Sequence, residues 1–196
     1  KEIKIHKTVI SIPSDKKIAP DLYQEFRDDN HYYLFMEELS PALHEHVSLN
    51  PLYHMITLAE KLKQLHDNGI YHLDLKKENI LLRGEGELVI CDYGCSLENK
   101  EATNILRQQG ARGTPSFLAP QETLDGWIDS NEINKIDISS LGFIYLWMLK
   151  DKESTEDSGE KAIWPEQEAW QSWSINFQSH MPIFADRWSN STKSIS

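Results

Sequence analysis

The chain is poor in cysteine and in positive charge, and it has no long apolar run. Cys91 and Cys95 are its two cysteines among 196 residues. They do not form a CxxC pair, and two are too few for a disulfide scaffold or a cysteine-built zinc site. A reducing compartment, the cytoplasm, is the expectation, with Cys91 packed as a small apolar residue rather than exposed as a reactive thiol. Lys and Arg number 20 against 31 Asp and Glu, a formal net charge of −11. That balance excludes a general nucleic-acid or anionic-membrane surface, because attraction to phosphate rests on Lys and Arg. No stretch of eighteen apolar residues exists, so no transmembrane helix is expected, and the opening residues carry no signal-peptide pattern. A chain opening on Lys rather than Met is expected to be processed or cut from something longer.

Apolar residues make up 39% of the chain, and six Trp, seven Tyr and six Phe can fill a core. The length predicts one domain or slightly more. Residues 1–10 read as the end of a helix, and Pro13 and Pro20 bracket a polar loop. Residues 21–39 read as two strands joined by a turn at 27–30. Asn50 and Pro51 suit a helix start. Leu52, Ile56, Ala59, Leu62 and Leu65 supply its apolar stripe, and Gly69 its end. Residues 80–82 and 88–91 predict two short strands, with Gly84 and Gly86 between them. Residues 93–118 show no strong periodicity and predict a long irregular loop of a kind that is usually functional. Residues 133–149 are apolar nearly all round and predict a buried central helix. Residues 150–161 predict a charged surface loop. Trp170, Trp173 and Phe177 share one helical face, which is either core or a docking stripe for a protein partner on the segment from Trp164 to Phe177. Residues 189–196 predict a flexible tail.

Three acidic positions carry the chemistry. Asp74 stands in His72-Leu73-Asp74-Leu75-Lys76-Lys77-Glu78-Asn79, Asp92 in Asp92-Tyr93-Gly94 directly after a predicted strand, and Asp137 in Asp137-Ile138-Ser139-Ser140-Leu141-Gly142. Each alone is by default a solvated carboxylate, and a lone D-x-K-x-x-N is weak. Their order and spacing, with Gly113-Thr114-Pro115-Ser116-Phe117-Leu118-Ala119-Pro120-Gln121 between the second and third, is strong.

In these four segments the chain resembles the eukaryotic-type protein kinase family, Ser/Thr branch. Residues 33–39 look like its hinge strand with Met36 as gatekeeper, and residues 1–3 look like the last turns of its αC helix. The resemblance implies an α+β, protein-kinase-like fold. Residues 1–39 would be a remnant of the upper lobe and its sheet, and 40–188 a mostly helical lower lobe. It implies a protein substrate and the cofactors ATP and Mg²⁺. Asp74 would orient a substrate hydroxyl and accept its proton, as a carboxylate ionised at neutral pH can. Lys76 would meet the γ-phosphate, and Thr114 would bridge Asp74 and Lys76. Asn79 and Asp92 would offer oxygens to Mg²⁺. Glu37, Leu39 and Leu81 would line the nucleotide slot. Glu2 is either the carboxylate that pairs with the ATP-contacting Lys or a solvated terminal residue. Asp137 would be structural, holding the backbone near His72.

The pattern departs from the family in three places. Leu73 replaces the catalytic-loop Arg, and no hydroxyl lies between Asn104 and Arg112, so no activation-loop phosphate is expected. Gln121 replaces a Glu whose Arg partner would be Arg187, in a lower lobe that is expected to be abbreviated. No Gly-rich loop and no V-A-I-K segment precede Glu2. Two readings follow. One is a Ser/Thr kinase of non-RD type whose upper lobe lies elsewhere, the chain alone being weakly active or inactive. The other is a pseudokinase acting as a protein-binding module. A metal-dependent hydrolase would explain Asp74 and Asp92 but not the other segments.

Overall fold

The computed structural model describes residues 1–41, 51–84 and 86–157. The stripe of Trp170, Trp173 and Phe177, the candidate Arg187 and the tail 189–196 lie outside them.

Helix α1 (Glu2–Ile10) buries Ile5, His6 and Val9 along one side. The connection that follows is held through its backbone. Lys17 O accepts from the Lys61 ammonium, Ile18 O from Ile90 N–H at 2.8 Å and Ala19 O from Arg83 Nη2 at 3.3 Å. Pro20 O takes the Nε2 proton of His6 at 2.9 Å, and Asp21 O accepts from Glu37 N–H at 2.9 Å. Five consecutive carbonyls thus have donors, which is how a buried loop satisfies its acceptors.

Strands β1 (Leu22–Arg27) and β2 (Tyr32–Met36) pair antiparallel with Phe26 opposite Tyr33. Their turn is shaped by the Asp28 carboxylate, which accepts from the backbone of Asn30 and His31. Strand β3 (Ser40–Pro41) joins a different sheet.

Helix α2 (Pro51–Asp67) opens on Pro51 as expected, but its buried face is rotated from the expected stripe. Met55, Leu58, Leu62 and Leu65 are buried, whereas Ile56 is exposed and Ala59 only half-buried. The side chain of Leu52 lies outside the described residues. The true face also carries His54, Thr57 and Lys61, polar residues that interrupt the apolar pattern. Gly69 at φ +69 turns the chain out of α2, where an L side chain would be strained and its Cβ would come within 3.2 Å of Asn99.

Strand β4 (Ile70–Tyr71) leads into the motif residues, and a 3₁₀ turn over Lys77–Asn79 leads into β5 (Ile80–Arg83). Strand β5 forms a hairpin with β6 (Glu87–Ile90), Ile80 facing Ile90, and its other edge takes β3. Strand β7 (Leu97–Glu98) pairs back on β4. The irregular loop expected over 93–118 is corrected here: it holds β7, helix α3 (Asn99–Gln109) and a 3₁₀ turn at Pro115–Phe117. Among the described side chains of α3, only Ala102 and Leu106 are fully buried, so its apolar stripe is too thin to read as a period. Helix α4 (Gln121–Asp129) follows, and α5 (Asn134–Asp157) packs against α2. The charged loop expected from residue 150 is also corrected. Helix α5 runs through Asp157, and residues 150–157 hold no Gly or Pro to break it. None of the described helices is long and apolar enough to cross a membrane.

Asp137 ties α5 to the turn after β4. Fully buried, it accepts from His72 N–H at 2.8 Å, Leu73 N–H at 2.7 Å and His66 Nε2 at 2.9 Å. Burial pushes its carboxyl up, but the His66 and His72 rings and the Leu73 amide outweigh burial and hold it below the ordinary carboxyl range. A lowered native pKa means stability that is present above pH 4 and lost as acid protonates the group. Asp137→Asn should therefore cost about 3 kcal/mol near pH 7, since the amide puts a donor against backbone donors. Urea melts of both proteins should show this gap closing as pH falls below about 4.

Candidate active site

The turn after β4 places its side chains by an unusual backbone. Leu73 sits at φ +65, a left-handed conformation that is unfavourable for a bulky residue. Asp137 fixes its amide, and burial fixes its side chain at 1% exposure. His72 accepts from Asp74 N–H at its Nδ1 (3.3 Å) and donates from Nε2 to Cys91 O (3.0 Å). Ser96 Oγ donates to His72 O at 3.0 Å. The buried Tyr93 ring lies 5.2 Å from His72 and 5.6 Å from His6 of α1, and its hydroxyl donates to Ile90 O. The turn after β4 and the one after β6 are thus locked together.

That lock gathers most of the sequence candidates. The Asp74 carboxylate accepts from Thr114 Oγ1 at 2.7 Å on one oxygen and from Lys76 Nζ at 2.9 Å on the other. Lys76 also reaches Thr114 Oγ1 at 3.2 Å, so the three close a triangle. The hydrogen bond to Asp74 raises the Lys76 pKa. Asn79 donates its amide N–H to Asp74 O at 2.9 Å, leaving the amide oxygen as its available acceptor, and its own carbonyl accepts from Cys91 N–H. Asp92 stands exposed at φ +64 with Oδ1 accepting from Gly94 N–H at 3.2 Å.

Thr114 reaches Asp74 because Gly113, at φ +113, lets two backbones touch. A Cβ on Gly113 would lie 2.5 Å from Leu73 O, a distance that atoms do not tolerate. Glu2 of α1 is exposed and approaches the same corner. A Cβ on Gly94 would lie 3.7 Å from Glu2 Oε2 and 3.1 Å from Asp92 Oδ1.

The remaining candidates form a second group. Glu37 directly follows β2, Leu39 directly precedes β3, and Leu81 pairs across with Pro41. The Glu37 side chain is taken by Arg83, through Nε at 2.7 Å and through Nη2. The Arg83 guanidinium holds the Glu37 carboxyl down at about 2. Sequence reasoning passed over Arg83 and His66, which carry no motif signal. Their partners lie 46 and 71 residues away in sequence.

The chain matches the protein kinase domain family over residues 1–194. It is 38% identical over 97 residues to probable serine/threonine-protein kinase KKQ8 of Saccharomyces cerevisiae, covering 48% of this chain and 13% of that protein. It is 28% identical to serine/threonine-protein kinase D of Synechocystis over 83% of this chain and 31% of that one. Serine/threonine-protein kinase PKH2 of Saccharomyces cerevisiae is 25% identical over 82% of this chain and 16% of its own length. The chain spans under a third of each of these relatives.

Both thiols of this region are held above the ordinary thiol range. Burial, helped by Asp92, pushes Cys91 up to about 11, and burial with Asp74 and Asp92 pushes Cys95 upward. Iodoacetamide at pH 7.5 should label Cys91 about tenfold or more slower than free cysteine, and Cys95 more slowly than free cysteine, with mass spectrometry showing the rates restored in urea.

Proposed function

The chain belongs to the protein kinase family, and we propose that in its full-length form it transfers phosphate from ATP to a protein serine or threonine hydroxyl. The observation that carries this reading is the Asp74 carboxylate held on both oxygens by Thr114 and Lys76. So held, it is aimed and close to a fixed positive charge, which is what hydroxyl activation beside a transferring phosphoryl group requires. Lys76 would stabilise the charge spread over that group. Residues 1–39 would be the lower edge of the upper lobe, and the lower lobe would begin at residue 40.

The residues present fit the two cofactors. Asp92 offers a charged oxygen and Asn79 a neutral one, and the commitment of the Asn79 N–H to Asp74 O turns its oxygen free. Two such donors suit Mg²⁺, which takes its other ligands from phosphate and water. Among the described residues no group of three or more His, Cys, Asp or Glu is arranged to hold a metal alone. The ion would therefore enter with the nucleotide. The backbone of Glu37 and Leu39 would meet the adenine edge, with Leu81 beneath it. Glu2, facing Gly94, would take the ammonium of an ATP-contacting Lys. When bound, Mg–ATP supplies the phosphoryl group and neutralises part of its charge.

Helix α3 supports independence from an activation-loop phosphate. Leu73 offers no guanidinium, and Thr103 is bonded to Asn131 within a docked helix. Thr103→Glu, assayed in the full-length protein, should not exceed wild-type activity. A severalfold gain would contradict this.

Transfer of radiolabelled phosphate to a generic protein acceptor, in the full-length protein, tests the main reading. Asp74→Asn should lose about 10²-fold or more in rate with its fold intact. If wild type and Asp74→Asn are both at background, the reading fails and the binding-module alternative replaces it.

A further inference from the structure

The strap from Glu37 to Pro41 is fastened at both ends. At its far end Ser40 and Pro41 pair with Leu82 and Leu81 of β5. At its near end the Glu37 N–H donates to Asp21 O at 2.9 Å, and the Glu37 carboxylate accepts from Asp21 N–H at 3.1 Å. Arg83 then grips that carboxylate from below as a fork, Nε to one oxygen and Nη2 to the other. The same guanidinium donates to Ala19 O and to Glu87 Oε2, each at 3.3 Å. Glu87 is steadied in turn by Lys61, a buried ammonium 3.3 Å from its other oxygen. The side chains of Arg83 and Glu37 are only 17% and 16% exposed. A planar guanidinium whose donors are spent on three separate segments has one available orientation.

Leu81 and Arg83 are two apart on β5, so the pleat sends both side chains to one face of the strand. One strand would then supply the surface beneath the adenine and the grip on the strap that reads its edge.

We propose that Arg83 is a positioning residue for nucleotide recognition, fixing the Glu37–Leu39 backbone against the adenine ring without touching it. The proposal rests on the phosphotransfer reading, and its test separates the two. Wild type, Arg83→Lys and Arg83→Gln are compared by amide hydrogen exchange over residues 37–40 without ligand. Calorimetry then measures Mg–ATP and magnesium tripolyphosphate, which lacks the adenosine.

Arg83→Gln should speed exchange at 37–40 and weaken Mg–ATP about tenfold. It should leave tripolyphosphate unchanged, and Arg83→Lys should fall between, since an ammonium cannot fork. Equal loss for both ligands would mark a general structural defect and overturn the proposal. Unchanged exchange, or unchanged Mg–ATP affinity, would also overturn it. Arg83→Gln leaves the Glu37 carboxylate unpaired, so the double variant Glu37→Gln with Arg83→Gln removes that charge. It should show the same selective loss, and recovery of wild-type affinity would overturn positioning. A wild-type full-length protein that binds neither ligand fails the phosphotransfer reading, and exchange at 37–40 still decides whether Arg83 holds the strap.

Discussion

The buried carboxylate of Asp137 is the constraint on which the site depends. It collects three donors from two elements: the His66 ring at the end of α2 and two successive amides after β4. Those amides belong to residues whose backbone would not adopt this path unaided, since Leu73 lies at φ +65. From that bend follow the His72 ring against Cys91 O, the approach of Gly113 to Leu73 O, and through it the contact of Thr114 with Asp74. The carboxylate is costly to bury, and its three partners offset that cost. It performs no chemistry itself, but it sets where Asp74 points.

The sequence was most legible where spacing alone is diagnostic. Asp74, Lys76, Asn79, Asp92 and Thr114 stand within short motifs, where residue order alone singles them out. The helix at Pro51 and the hairpin around Gly84 and Gly86 were legible because Pro and Gly act locally on the backbone. The structural part expected of Asp137 agrees with its three bonds. The misreadings share one cause. Among the described side chains of α3, two are fully buried, too few for a periodic signal. The face of α2 is rotated because buried His54, Thr57 and Lys61 interrupt the apolar run, while Ile56 completes a false one at the surface. Tertiary partners decided both, and a sequence does not list its tertiary partners.

Arg83 illustrates the same limit from the functional side. Its forked contact with Glu37 spans 46 residues of sequence, and its second carboxylate, Glu87, lies across a hairpin. Nothing in either neighbourhood advertises the pairing. The motif residues and the strap residues form two groups, one around Asp74 and one around Glu37, and β5 and the turn before it reach both. Asn79 belongs to the first group, and Leu81 and Arg83 to the second.

The five carbonyls from Lys17 to Asp21 carry a consequence for how such a chain can change over time. The α1–β1 connection is joined to α2, β5 and β6 by main-chain oxygens, which every residue type provides alike. The donors that meet them are partly side chains, Lys61 and Arg83, and those cannot be exchanged freely. Mutational tolerance across this joint should therefore be lopsided: permissive along the connection where buried volume allows, and strict on the surface that receives it.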